Sequence, residues 1–176
     1  MVARAGVPAA SSEATRHVMQ ANRSKNTTPE LRVRAALRAA GLTGYRLHWK
    51  KAPGHPDVCF PGRHVAILIN GCFWHRCPFC EPSRPKTHPE FWETKFARNR
   101  ARDARVRAEL VDGGWTVVVV WECRLKKARF NQTMAEVVDV VRRAGEERLP
   151  ARVVEVGSLG AWRLRRLRAH RRSRRG

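Results

Sequence analysis

VAILINGCFWHRCPFC, Val65 to Cys80, changes character halfway. Val65 to Asn70 is an almost wholly apolar run of strand length, which suits a strand buried on both faces. The stretch after it holds three cysteines, one histidine and the aromatics Phe73, Trp74 and Phe79. A second run of the first kind, WTVVVVWEC (Trp115–Cys123), comes after KTHPEFWETKFARNRARDARVRAELVDGG. That intervening segment predicts a long helix: Thr87 and Glu90 have capping-box spacing, Pro89 sits in the first turn, and Gly113-Gly114 ends it. Strand, helix, strand is the kernel of an α/β sheet.

Outward from this kernel, NTTPELRVRAALRAAG predicts a first helix, with Thr27 and Glu30 at capping-box spacing, Pro29 in the first turn and Gly41 at the stop. YRLHWK (Tyr45–Lys50) reads as a strand, APGHPDVCF as a turn into a short strand over Asp57–Phe60, and PGRH as a turn. TMAEVVDVVRRAG (Thr133–Gly145) reads as an amphipathic helix. PARVVEVGSLG is either a last short strand or an extended arm. The expected fold is a mixed α/β sheet with helices against its faces. Residues 1–18 are expected as a flexible segment, 19–150 as the domain, and 151–176 as a basic extension. No internal repeat is visible.

Lys and Arg number 36 against 15 Asp and Glu, a formal net charge of +21, with a pI near 11.5. The last sixteen residues carry eight Arg and no acid, yet the remainder is still strongly basic. A surface of this kind attracts polyanions, nucleic acid first among them; the bland alternative is a merely solvated surface. No stretch approaches the roughly 18 apolar residues of a membrane span. The N-terminus lacks the apolar run of a secretory signal, so a reducing cytoplasm and no membrane partner are expected. Five cysteines there argue against a disulfide framework and for metal ligation.

Cys77 and Cys80 form a CxxC pair, Cys72 lies five residues before it, and Cys123 ends the second apolar run. Four thiolates close a tetrahedral zinc site completely, which makes it structural. Buried free thiols are the alternative. A thioredoxin-like redox pair is disfavoured, because the CxxC reads as loop and does not open a helix. Cys59 belongs with the core. His75 is then spare. Phe73 and Trp74 either pack under the cysteine loop or serve as wedges that unstack a base step.

PGHPDV, GCFWH followed by Cys, HPEFW, RNRARD and GWTVVVVWEC, in this order, resemble the very-short-patch-repair (Vsr) DNA mismatch endonucleases over roughly Met19–Leu125. The resemblance implies a restriction-endonuclease-like core with a bound Zn²⁺. It also implies Mg²⁺-dependent nicking of one strand of double-stranded DNA beside the mispaired T of a T:G pair left by 5-methylcytosine deamination. It makes Asp57 the carboxylate that bridges Mg²⁺, and Ile69 a position that offers a backbone carbonyl to the metal. His75 becomes the general base or proton shuttle for the attacking water, and Glu30 a residue that orders the water and His network. Glu30 could equally serve its helix alone, through the capping box. Phe73, Trp74 and Trp92 match intercalating aromatics. Lys95, Arg98, Arg102 and Arg105 fall at i, i+3, i+7 and i+10, one helix face that Asn99 joins; a solvated stripe and phosphate positioning are the two readings.

Two positions depart from the family pattern. Asn70 stands where His is frequent, and Asn cannot take a proton at neutral pH; it is kept among the catalytic candidates. Cys77 stands where one zinc ligand is commonly His. A monomer is expected, with a MutL-type repair protein as possible partner, and the Arg-rich end as a source of salt-sensitive, sequence-independent DNA affinity. Two other functions compete: a zinc-stabilised DNA-binding protein without chemistry, which needs neither Asp57 nor His75, and a restriction enzyme of the same fold. The second would carry a Glu-x-Lys pair on the strand after Asp57, and AILIN has none.

Overall fold

The computed structural model describes residues 25–157, together with Glu13. The segment expected to be flexible at 1–18, Glu13 apart, and the Arg-rich end lie outside the described residues.

Helix α1 (Thr28–Ala39) starts as its sequence requires. Thr27 accepts from the Glu30 N–H, the Glu30 side chain reaches back to the Thr27 N–H, and the chain leaves through Gly41 at φ +75°. Strand β1 (Arg46–Leu47) is shorter than the six residues predicted, because His48 turns the backbone to φ +44° and stops the pairing. Strand β2 (Val58–Phe60) follows, then a 3₁₀ turn at Pro61–Arg63, and β3 (Val65–Asn70) over the whole apolar run. The cysteine-rich stretch is not all loop: Cys72–His75 forms a one-turn helix, α2.

Helix α3 (Pro89–Asp112) is the long helix, but the predicted capping box at Thr87 does not form. Pro89 takes the first helical position, so the cap falls on His88, and Thr87 lies one residue too early to reach the first turn. Strand β4 (Thr116–Trp121) ends before Cys123, which sits on a 3₁₀ turn at Glu122–Leu125. Helix α4 (Lys127–Glu146) begins six residues earlier than read. Thr133 is an interior residue whose hydroxyl donates to the Arg124 carbonyl. Strand β5 (Arg152–Glu155) resolves the choice between strand and arm, and it lies beyond Pro150.

The sheet order is β1-β2-β3-β4-β5. The first three strands are antiparallel, and β3, β4 and β5 run parallel. Side chains alternate across a strand, and here the alternation separates two cores. Val58, Phe60, Val65, Ile67, Val118 and Val120 face α1 and α4 and pack with Leu37, Val137 and Val141. Cys59, Ala66, Val117, Val119 and Trp121 face the other way, with Leu110 of α3 and with Cys72, Cys77 and Cys123. Cys59 is therefore core, as expected, and burial pushes its thiol up to about 12. β4 is buried along its whole length, which is why its sequence does not alternate.

The turn that leads into Asp57 is fixed by a close approach. Gly54 has φ +68°, and a Cβ there would overlap the Val106 side chain of α3. Gly54→Ala combines left-handed strain with overpacking and should cost about 2–4 kcal/mol, read as a lower midpoint in chemical denaturation with an unchanged slope.

Candidate active site and metal centre

Glu30, Asp57, Ile69 and Asn70 line a cleft of about 1030 Å³ at one end of the central strands. Its other side is made by Trp74 and His75 of α2 and by Lys95, Asn99, Arg102 and Asp103 of α3. Asp57 stands just ahead of β2. Its Oδ2 accepts the Ile69 N–H at 2.7 Å, which ties the carboxylate to β3. Ile69 thus meets Asp57 through its N–H, and its carbonyl oxygen remains a separate acceptor. Burial raises the Asp57 carboxyl to about 6; the Ile69 bond and the charge of His75 pull down, while Glu30 pushes further up.

Glu30 is only 4% exposed. Oε1 accepts from the Thr27 hydroxyl at 2.9 Å and Oε2 from the Asn26 N–H at 3.0 Å. Its helix-capping role is therefore real, and the same bonds hold the carboxylate at the cleft. Asn70 is buried at the end of β3.

His75 ends α2, and its Nδ1 meets Asp103 Oδ2 at 2.5 Å. Burial alone would raise Asp103, but the hydrogen bond and charge of His75, with Arg102 beside it, hold the carboxyl below its ordinary value. An ionised Asp103 can only accept, so Nδ1 carries a proton, and in the neutral ring Nε2 is then the acceptor. Asp103 was not singled out from sequence. The signal was an acid within a basic run, one helical turn after Asn99. His48 was also missed: it lies 3.4 Å from Glu30 and 3.9 Å from Asp57. A third, Glu122, accepts the Cys72 N–H at 3.1 Å and so ties the start of α2 to the end of β4.

The aromatics form one cluster. Phe73 and Trp92 rest edge-on or tilted against the buried Phe96, at 5.3 and 5.8 Å between centroids, and Trp74 meets Phe73 at 5.0 Å. All three remain half-buried. Lys95 Nζ lies 5.2 Å from the Trp74 ring and 5.4 Å from that of Trp92, within cation–π range. Asn99 donates to the Trp74 carbonyl at 2.9 Å and so steadies α2. The predicted basic stripe divides. Lys95 and Arg102 reach the cleft, whereas Arg98 is exposed outside it and Arg105 pairs with Glu109 at 3.6 Å.

Cys72, Cys77, Cys80 and Cys123 come together with their sulfurs within 4.8 Å of one another. Cys77 and Cys123 are 3.7 Å apart. Tetrahedral ligation with metal–sulfur bonds of about 2.3 Å sets sulfurs about 3.8 Å apart, so the donor set fits such an ion. Burial raises the Cys72 thiol far above its ordinary range and the Cys77 thiol to about 11. A bound cation would supply the charge that these thiolates need.

Carboxylates and a carboxylate-held imidazole thus stand at the strand ends, beside a four-cysteine cluster. The chain belongs to the Vsr family. The family model described as DNA mismatch endonuclease Vsr matches residues 10–80. The chain is 45% identical to the type II nicking enzyme V.XorIIP of Xanthomonas oryzae pv. oryzae, over 65% of this chain and 84% of that one. It is 38% identical to the type II nicking enzyme V.NaeI of Lentzea aerocolonigenes, over 70% and 74%. It is also 35% identical to the DNA mismatch endonuclease Vsr of Escherichia coli, over 61% and 69%.

The raised Asp57 carboxyl has a consequence for stability. A folded value of about 6 against 3.8 means that ionising Asp57 costs folding energy. The cost is absent below pH 4, grows as pH rises through 6, and is full above it. In Mg²⁺-free buffer, Asp57→Asn should therefore raise stability at pH 8 by at most about 3 kcal/mol, with no gain at pH 4. Equal gains at both pH values in thermal melts would contradict this origin.

Proposed function

We propose that this chain is a Mg²⁺-dependent endonuclease that nicks one strand of duplex DNA next to the mispaired T of a T:G mismatch, the step that opens very short patch repair. The observation that carries the reading is the convergence of Asp57 and the His75–Asp103 pair on one cleft walled by aromatic and basic side chains. The sheet is then the restriction-endonuclease-like core that the family resemblance implies.

In this reading His75 Nε2 takes a proton from the water whose oxygen bonds to phosphorus, and Asp103 stabilises the imidazolium that forms. The P–O bond to the departing sugar oxygen breaks, and that oxygen takes up a proton to leave a hydroxyl. Asp57, steadied by Ile69 and with Glu30 behind it, is the residue to hold Mg²⁺. When bound, the cation supplies charge neutralisation for the phosphate and acidity for the water. Phe73, Trp74 and Trp92 enter the base stack at the mismatch, the cost of unstacking being offset by contacts to bent DNA. Lys95, Arg98, Asn99, Arg102 and Arg105 position the duplex, with Arg105 first leaving Glu109. The four cysteines hold a structural Zn²⁺. The protein works as a monomer in the cytoplasm at the nucleoid, with a MutL-type protein as partner, and the Arg-rich end adds general DNA affinity. No helix among the described residues is long and apolar enough to cross a membrane.

With Mg²⁺ and duplexes carrying one T:G pair in varied contexts, the expected product is a single nick beside the mispaired T and none on fully paired controls. Asp57→Ala should abolish nicking while duplex affinity stays nearly intact; tight binding without a nick in any context would favour a DNA-binding protein without chemistry. Elemental analysis should find one zinc per chain. Cys123→Ser should lose it and lower the melting temperature, as expected when metal binding contributes to folding; retained zinc would return the cysteines to the core.

A further inference from the structure

Three side chains from separate parts of the fold meet at the back of the cleft. Glu30 comes from α1, His48 from the bend after β1, and Asp57 from the turn before β2, with one donor atom from each within 4.8 Å of the others. The two carboxylates are anchored on their far sides. Glu30 is held by the Thr27 hydroxyl and the Asn26 N–H. Asp57 is held through Oδ2 by the Ile69 N–H, which leaves Oδ1 toward the imidazole. His48 lies between them, Nε2 at 3.4 Å from Glu30 Oε2 and Nδ1 at 3.9 Å from Asp57 Oδ1. Nε2 is buried and makes no hydrogen bond of good geometry. The backbone at His48 adopts φ +44°, a conformation that costs a residue with a side chain free energy and gathers at functional positions.

We propose that His48 is a nitrogen ligand of the divalent cation held by Asp57, offering Nδ1 while its Nε2 faces Glu30 Oε2 at 3.4 Å. The proposal rests on the nuclease reading above and adds a donor that the reading does not require. A carboxylate behind the distal ring nitrogen is the usual support of a metal-bound imidazole, and Glu30 occupies that place. The 3.9 Å between Nδ1 and Asp57 Oδ1 is too long for a hydrogen bond. It is within the span of two ligands that each stand about 2.1 Å from a shared ion.

The ligand set has a consequence for metal choice. Mg²⁺ takes oxygen donors, whereas imidazole suits the later first-row ions. A site with His48 in it should favour Mn²⁺ over Mg²⁺ more strongly than carboxylates alone would. The competing role for His48 is to stand between the Glu30 and Asp57 carboxylates without touching metal.

The experiment uses the full-length, zinc-loaded protein without DNA. Mn²⁺ binding is followed by electron paramagnetic resonance for the wild type, Asp57→Asn and His48→Asn; Asn tolerates the left-handed backbone at position 48. Asp57→Asn should remove the site. His48→Asn should weaken Mn²⁺ by roughly 10–100-fold and Mg²⁺, measured by competition, by much less. Electron spin-echo modulation from bound Mn²⁺ should show a ¹⁴N coupling that His48→Asn loses and His75→Gln keeps. An Asp57-dependent Mn²⁺ site without nitrogen coupling, or with unchanged affinity in His48→Asn, overturns the proposal and leaves the nuclease reading standing. Mn²⁺ binding indifferent to Asp57→Asn overturns both. The wild-type spectrum decides even if His48→Asn fails to fold.

Discussion

The parallel pairing of β3 with β4 sets the place of everything that follows. Its last registered pair is Asn70 with Trp121, so the two chains leave the sheet side by side. Cys72 is two residues beyond one end and Cys123 two residues beyond the other. The Cys123 N–H donates to Cys72 Sγ at 3.3 Å, and Glu122 accepts the Cys72 N–H. Both bonds fix the start of α2, and α2 carries Phe73, Trp74 and His75. A one-turn helix has no stability of its own. Its orientation is held by the sulfur cluster at its root, by Glu122, and by Asn99 and Asp103 of α3.

The cleft places acids inside a strongly basic chain. A net charge of +21 draws a polyanion in, yet Glu30, Asp57 and Asp103 present carboxylates where a phosphate would arrive. Two of them have internal partners: Glu30 is held by its helix cap and Asp103 by His75. Asp57 has one backbone N–H and the cost of burial. It is the carboxylate for which a cation would do most, and a cation there would also remove its repulsion of phosphate. The proposed metal dependence follows from this imbalance of charge.

In the proposed reading, the aromatics can both pack under a loop and enter a base stack. Phe73 and Trp92 spend one side of their rings on Phe96, which is 1% exposed, and keep the other half-open. A wedge that enters a base stack must not collapse under the load, and a seat on a buried ring provides that stiffness. Lys95 lies against the Trp74 and Trp92 rings, so its charge sits where bases and phosphates would both be met.

The sequence by itself determined the elements whose signals are local. VAILIN is a strand over its full length, Thr27 with Glu30 caps α1, and the four cysteines meet as their residue types suggested. Each depends on neighbouring residues or on a chemistry that few other arrangements satisfy. Elements set by a single backbone choice were less legible. β1 stops at His48, α3 is capped at His88 and not at Thr87, and Cys123 falls on a 3₁₀ turn. Only the tertiary structure decided the company each candidate keeps. Asp103 meets His75 across 28 positions, and His48 reaches both Glu30 and Asp57 because α1, the bend after β1 and the start of β2 converge. It also split the stripe from Lys95 to Arg105, since helical spacing says which residues share a face but not where along a 24-residue helix the cleft ends. Local pattern fixes backbone conformation over a few residues, whereas a site is a set of distances between remote ones, and those are set by how the sheet and its helices pack.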